Sequence, residues 1–172
     1  PLYPLKSTTI FLFGSISIKD KAIVVGYDGR ITSIKLHEYL CKGLVQSGAN
    51  VISIGMGPTP MTYFAHYSLN TNAAIMVTGS HNPSEYNGFK MVLNKHSFFA
   101  ENIQLLQNLV DDHNISFAEG TYKEIDIKNV YINRNLKNII LAKKLKIAWD
   151  IGNGAVGAVI DNFTTLLSNS DH

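Results

Sequence analysis

The sequence predicts an α/β protein: a three-layer α/β/α domain on a mixed sheet, followed by an incomplete second α/β domain. Three observations carry this. Short β-branched apolar runs alternate with helical stripes, two of the runs are joined by a connection too short for a crossover, and one more apolar run opens only after residue 144.

The first run, Ala22 to Tyr27 (AIVVGY), reads as a buried strand closed by the turn Asp28-Gly29-Arg30. A helix follows, with Thr32 and Ser33 as N-cap candidates. Its apolar face carries Leu36, Leu40, Leu44, Tyr39 and Val45, and Gly48 is its stop. Asn50 to Ile54 is the second strand, and Pro60 suits the first turn of a helix bearing Met61, Phe64, Ala65 and Leu69. Ala73 to Val77 and Gly88 to Leu93 are the third and fourth strands, antiparallel because so little chain joins them. Residues 101–114 carry a helical stripe, residues 116–128 are polar and weakly patterned, and Val130 to Ala142 reads as helix. Leu145 to Trp149 (LKIAW) is a fresh strand leading into Gly152-Asn153-Gly154. The expected division is 1–128, a connecting helix or linker over 129–145, and the start of a second domain over 146–172. One strand and one helix cannot bury both faces of a sheet, so that second domain is expected to be unfinished. The first residue is Pro1 rather than Met, which adds to the expectation of a fragment.

Composition narrows the function classes. Of 172 residues, 16% are charged and 45% hydrophobic, a globular balance that excludes a long disordered chain. Lys and Arg number 15 against 13 Asp and Glu, and the pI of about 8.7 lies below the range of a nucleic-acid surface. No nucleic-acid partner is expected. Cys41 is the only cysteine, so an internal disulfide and a cysteine metal cluster are both excluded, and a reducing cytoplasm fits best. The early apolar run Ile10 to Phe13 stops at Gly14, far short of a membrane span, and no membrane association is expected.

The segment richest in chemistry leaves the third strand: Thr78-Gly79-Ser80-His81-Asn82-Pro83, continuing to Asn87-Gly88-Phe89-Lys90. Gly79 can take a positive φ, Asn82-Pro83 forms turns, and such a loop presents a hydroxyl and backbone N–H groups together, as a phosphate site requires. The alternative is a plain turn, with Ser80 bonded locally and His81 and Lys90 solvated. A serine-hydrolase elbow needs glycines where Thr78 and Asn82 stand, and no P-loop string occurs. The remaining histidines, His37, His66, His96, His113 and His172, lack zinc-site spacing and are expected on the surface or on helix faces. Gly152, Gly154 and Gly157 spell a dinucleotide-binding turn, a remote alternative because the second strand and its acidic residue are missing.

TGSHNPSEYNGFK, from Thr78 to Lys90, resembles the active-serine loop of the α-D-phosphohexomutase family, the phosphomannomutases and phosphoglucomutases. Val25 to Arg30 (VGYDGR) and Gly57 to Pro60 (GPTP) match two further signatures of its first domain, and Trp149 to Ala155 resembles the opening of its second. The likeness covers about Ala22 to Leu106, the first of four domains. It implies that Ser80 carries a phosphoryl group, gives it to a hexose phosphate, and takes one back from the other end of the bisphosphorylated sugar. It assigns His81 to contact with phosphate or sugar, and Lys90 to proton movement or charge stabilisation. It also implies Mg²⁺, reached here through the Ser80 phosphate alone, and a hexose bisphosphate activator. A phosphoserine holds about −1.5 to −2 charges, so such chemistry needs cations close by. Asp28 and Arg30 are read as an internal turn ion pair supporting the loops, and Gly57 to Pro60 as a rigid turn.

The sequence also departs from the family. Residues 1–21 lack its Tyr-Asp-x-Arg-Gly opening, and no aspartate-rich metal loop, sugar loop or Arg/Ser/Thr phosphate clamp is found; Asp150, Asp161 and Asp171 do not reproduce the metal loop. The expectation is one part of a phosphohexomutase, inactive alone and completed by a separately encoded C-terminal remainder. The alternatives are a non-catalytic remnant or a stand-alone phosphosugar-binding module. Mannose and glucose phosphates are not distinguished.

Overall fold

Alternate residues of the strand Ala22–Tyr27 (β1) point to opposite faces, and both faces are apolar: Ile23 and Val25 enter one core, Val24 the other. A strand buried on both sides needs a layer on each side. The computed structural model, which describes residues 18–99, 102–103, 117–141, 143 and 145–169, provides those layers.

The helix Ser33–Gln46 (α1) covers the Ile23/Val25 face with Leu40, Cys41 and Leu44. Asn50–Met56 (β2) follows, then the helix Thr59–Ser68 (α2), whose Met61 and Ala65 cover Val24, Ile52, Ile54 and Ala74 on the other face. Ala73–Val77 (β3) is buried throughout, and Phe89–Leu93 (β4) and His96–Phe98 (β5) continue the sheet. Thr121–Glu124 (β6) closes the far edge. The helix Lys128–Leu136 (α3) adds Ile132 to the α2 face, where Val159, just before the helix Ile160–Asn169 (α4), is also buried. Each large apolar side chain buried this way contributes about 1.5–3 kcal/mol.

The sheet order is β5-β4-β3-β1-β2-β6. β1 is parallel to β2 and β3, β2 is parallel to β6, and β3/β4 and β4/β5 are antiparallel, so the sheet is mixed as expected. From β1 the chain crosses to β2 on one side, then passes back over β1 to reach β3 on the other. The carboxyl ends of β1 and β3 therefore flank the point where strand order reverses, the place where open α/β sheets bind ligands.

Several expectations need correction. Thr32 occupies the N-cap position of α1, but no side chain caps that helix: the Thr32 hydroxyl accepts from Asn87, and Ser33 turns to Asp28. The buried stripe of α1 runs through Ser33, His37, Leu40, Cys41 and Leu44, leaving Tyr39 exposed. The polar stretch 116–128 contains β6, recruited through its backbone against β2 although all four residues are exposed. The expected strand Leu145 to Trp149 forms neither strand nor helix, since no described strand pairs with it, and Leu145, Ile147 and Trp149 are exposed. The helix expected from Val130 to Ala142 begins at Lys128 and ends at Leu136. The helix expected over 101–114 lies almost entirely outside the described residues, as does most of the departure read over residues 1–21, of which 18–21 are described.

Candidate functional site

At the end of β1 the chain turns through Asp28, Gly29 and Arg30, and at the end of β3 it enters the loop 78–88. Arg30 joins the two. Its Nε donates to Asp28 Oδ2 at 3.2 Å, one terminal nitrogen donates to the carbonyls of Pro83 and Tyr86, and the other to those of Ser80 (3.0 Å) and Asn82 (2.7 Å). A guanidinium has five N–H groups, so all are engaged. Arg30 acts on the loop through its backbone, as a support.

Asp28 holds this arrangement from below. Its Oδ1 accepts from the Arg30 backbone N–H (3.2 Å) and from the Ser33 hydroxyl. Partial burial raises its pKa, but hydrogen bonds from Ser33, Thr78 and the Arg30 backbone, with the Arg30 charge, leave the carboxyl below its ordinary value. Asn87 links the same turn to the far end of the loop, donating to Thr32 Oγ1 at 3.0 Å and Ser33 Oγ at 2.8 Å.

Within the loop, Ser80 is exposed and adopts φ 54°, left-handed backbone that costs a non-glycine residue about 1–2 kcal/mol. Gly79 was the residue expected at positive φ; it serves instead by lacking a side chain. A Cβ there would lie 2.4 Å from Arg30 Cζ and 2.5 Å from the Tyr86 carbonyl oxygen. The N–H of Ser80 donates to Thr78 Oγ1 (2.9 Å), that of Asn82 to Gly79 O (3.0 Å), that of Tyr86 to Pro83 O (3.1 Å) and that of Gly88 to Asn87 Oδ1 (2.9 Å). These four amides fold the loop.

Ser80, His81 and Lys90 all lie at this end of the sheet and are all exposed. Lys90 sits on β4 opposite Met76, one pair inward from Val77 and Phe89 at the base of the loop. Among the described residues neither His81 nor Lys90 has a side-chain hydrogen bond or ion pair, which leaves the Lys90 ammonium and the His81 ring nitrogens available to an anion. The turn Gly57 to Pro60 is packed architecture: the Gly57 N–H donates to Tyr27 O at 3.0 Å, and a Cβ at Gly57 would strike Met61.

The described residues do not make an Mg²⁺ site. No group of three His, Cys, Asp or Glu side chains among them converges on a common point, and Asp28, the acid of the turn that Arg30 ties to the loop, is committed to Arg30 and Ser33. The Gly152-Asn153-Gly154 turn leads into a 3₁₀ helix, Ala155–Ala158, with no strand before it, so it lacks the strand-turn-helix form of a dinucleotide turn. His37 and His66 lie on helix faces but are buried, and no helix among the described residues is long and apolar enough to cross a membrane.

Sequence reasoning read the Asp28–Arg30 pair but missed its grip on the loop, along with Asn87. Arg30 reaches carbonyls 50 to 56 residues away, and a backbone acceptor leaves no mark in residue type.

Comparison with known proteins agrees with this architecture. Residues 8–113 match the family model described as phosphoglucomutase/phosphomannomutase, alpha/beta/alpha domain I. A phosphomannomutase/phosphoglucomutase of Pseudomonas putida is 40% identical over 145 residues, covering 84% of this chain and 31% of the relative; a phosphoglucomutase of Neisseria meningitidis serogroup B is 39% identical over 138 residues, covering 79% and 30%. The crystal structure of a phosphoglucomutase/phosphomannomutase family protein from Burkholderia thailandensis superimposes with a TM-score of 0.84 at 33% identity, covering 95% of this chain and 38% of that one. The chain spans about a third of the length of the curated relatives it matches. On the match of residues 8–113, the chain belongs to the phosphoglucomutase/phosphomannomutase family and carries its α/β/α domain I.

Proposed function

We propose that this chain supplies the phosphoryl-carrying serine of a phosphohexomutase, which moves a phosphoryl group between the 1- and 6-positions of a hexose phosphate. The observation that supports this most is Ser80 itself: an exposed hydroxyl on a loop prefolded at the strand-order reversal, with His81 and Lys90 exposed at the same end of the sheet and unpaired among the described residues.

The reaction follows from those groups. The Ser80 Oγ–P bond forms as the P–O bond to one end of a hexose bisphosphate breaks; the serine proton passes to a nearby base, and the departing sugar oxygen takes a proton. Lys90 is the residue for that proton traffic and for offsetting charge on the transferring oxygens, and His81 for contact with phosphate or sugar. The reverse transfer, to the other hydroxyl of the reoriented sugar, completes the isomerisation. A hexose bisphosphate is accordingly the activator, since it charges Ser80. Mg²⁺ belongs to this reading as the counter-charge of the phosphoserine, with ligands from outside the described residues, and no step is assigned to it.

Turnover requires sugar, metal and distal-phosphate groups that the described residues do not contain, because phosphoryl transfer depends almost wholly on positioning and charge. The test is complementation with the C-terminal two thirds of the P. putida relative, assayed on glucose 1-phosphate and mannose 1-phosphate with Mg²⁺ and bisphosphate. Turnover in the mixture, abolished by Ser80→Ala and absent from either piece alone, is the expected result. Turnover that survives Ser80→Ala contradicts the proposal.

A further inference from the structure

We infer that Arg30 is a positioning residue: it holds the Ser80 loop in its acceptor conformation by gripping four loop carbonyls, and does so without touching the phosphoryl group. This rests on the reading of Ser80 as the acceptor.

Two independent features point to it. The first is saturation. One N–H of Arg30 goes to Asp28 and the other four go to the carbonyls of Ser80, Asn82, Pro83 and Tyr86, so no donor is left for a phosphate oxygen. A cation recruited to bind phosphate would keep donors open, as Lys90 does among the described residues. The second is fit. The space for the guanidinium exists only because residue 79 is glycine, since a Cβ there would come within 2.6 Å of Arg30 Nε.

The same grip accounts for the left-handed backbone of Ser80. The Ser80 carbonyl accepts from Arg30 while its N–H donates to Thr78 Oγ1, so both of its peptide groups are anchored and the residue cannot relax to the right-handed region without losing one. Arg30 is in turn fixed by Asp28, which Ser33 orients. A lysine cannot reproduce this hold, because an ammonium has three donors and no planar fork.

The experiment uses the full chain, unsubstituted and as Arg30→Lys, Arg30→Met and Gly79→Ala. Backbone amide exchange is read residue by residue, and phosphoryl incorporation from a hexose 1,6-bisphosphate is followed by intact mass in the complemented mixture. In Arg30→Met and Gly79→Ala the amides of Asn82 and Tyr86 should exchange at least tenfold faster while those of Val24 and Ile75 keep their rates, with Arg30→Lys intermediate. In Arg30→Lys the maximal rate of phosphoryl incorporation should fall at least tenfold with the half-saturating bisphosphate concentration unchanged. Loop amides that keep their rates in both Arg30→Met and Gly79→Ala overturn the inference. A raised half-saturating concentration at an unchanged maximal rate also overturns it, because that marks direct contact with phosphate. Loosened loop amides alongside an unsubstituted chain that takes up no phosphoryl group would support the grip and overturn the Ser80 reading instead.

Discussion

Asn87 Nδ2 donates to Ser33 Oγ at 2.8 Å, and Ser33 Oγ donates onward to Asp28, so residues 54 apart in sequence bind the loop after β3 to the turn after β1. The bridge is partly buried, where an orphaned donor or acceptor costs about 1–3 kcal/mol. Asn87→Ala should therefore destabilise the chain by about 1–2 kcal/mol in urea unfolding, and Ser33→Ala, whose hydroxyl is fully buried, by at least as much. Because both remove links of one chain, the double substitution should cost less than the sum of the two.

A second contact fixes α2 on the sheet. A Cβ at Gly26 would lie 2.4 Å from Thr62 Oγ1, a hydroxyl held by its hydrogen bond to Met76 Sδ at 3.2 Å. Gly26→Ala should cost about 1–3 kcal/mol by overpacking. Thr62→Ala in the same chain should recover part of that loss. An unchanged urea midpoint for Gly26→Ala would show that α2 is free to shift.

Acid sensitivity should arise from two buried histidines. His66 is fully buried; its Nδ1 lies 2.8 Å from Thr71 Oγ1, whose hydroxyl donates to Ala73 O, and Nε2 has no partner among the described residues. Burial pushes its pKa down and Lys95 adds to this; burial also lowers that of His37, partly opposed by Glu124 and Glu38. The unfolded chain, with histidines near about 6.5, thus binds protons first. Stability is full above about 6.5 and is lost as pH falls from there through the folded-state values. The thermal midpoint should drop from pH 7 to 5, less steeply in His66→Gln.

The single thiol offers a clean probe of global unfolding. Cys41 is buried, and burial, with Glu124 adding, pushes its pKa up to about 12. At pH 8 only roughly one molecule in ten thousand is then a thiolate. Alkylation of the native chain should run at least about a hundredfold slower than in denaturant, with the rate tracking unfolding.

Legibility in the sequence followed burial. β1, β2 and β3 are apolar because the cores demand it, β4 likewise over Met91 to Leu93, and their residue types showed it. β6 has no side chain in a core and pairs through its backbone, and β5 is three residues long, so neither left a pattern. Leu145 to Trp149 failed in the opposite sense: its apolar residues promise a strand, but a strand also needs a neighbour. The site divides likewise. Ser80, His81 and Lys90 were legible as a motif, whereas the use of Gly79 as room for Arg30 and the positive φ of Ser80 come from tertiary contacts.

The central claim is that Ser80 is the phosphoryl carrier, and site-mapped labelling tests it most directly. The complemented protein is incubated with a labelled hexose 1,6-bisphosphate, digested, and its phosphopeptides sequenced. The account predicts one labelled residue in this chain, Ser80, and no label in Ser80→Ala. Label on any other residue of the chain, or label that persists in Ser80→Ala, would contradict it.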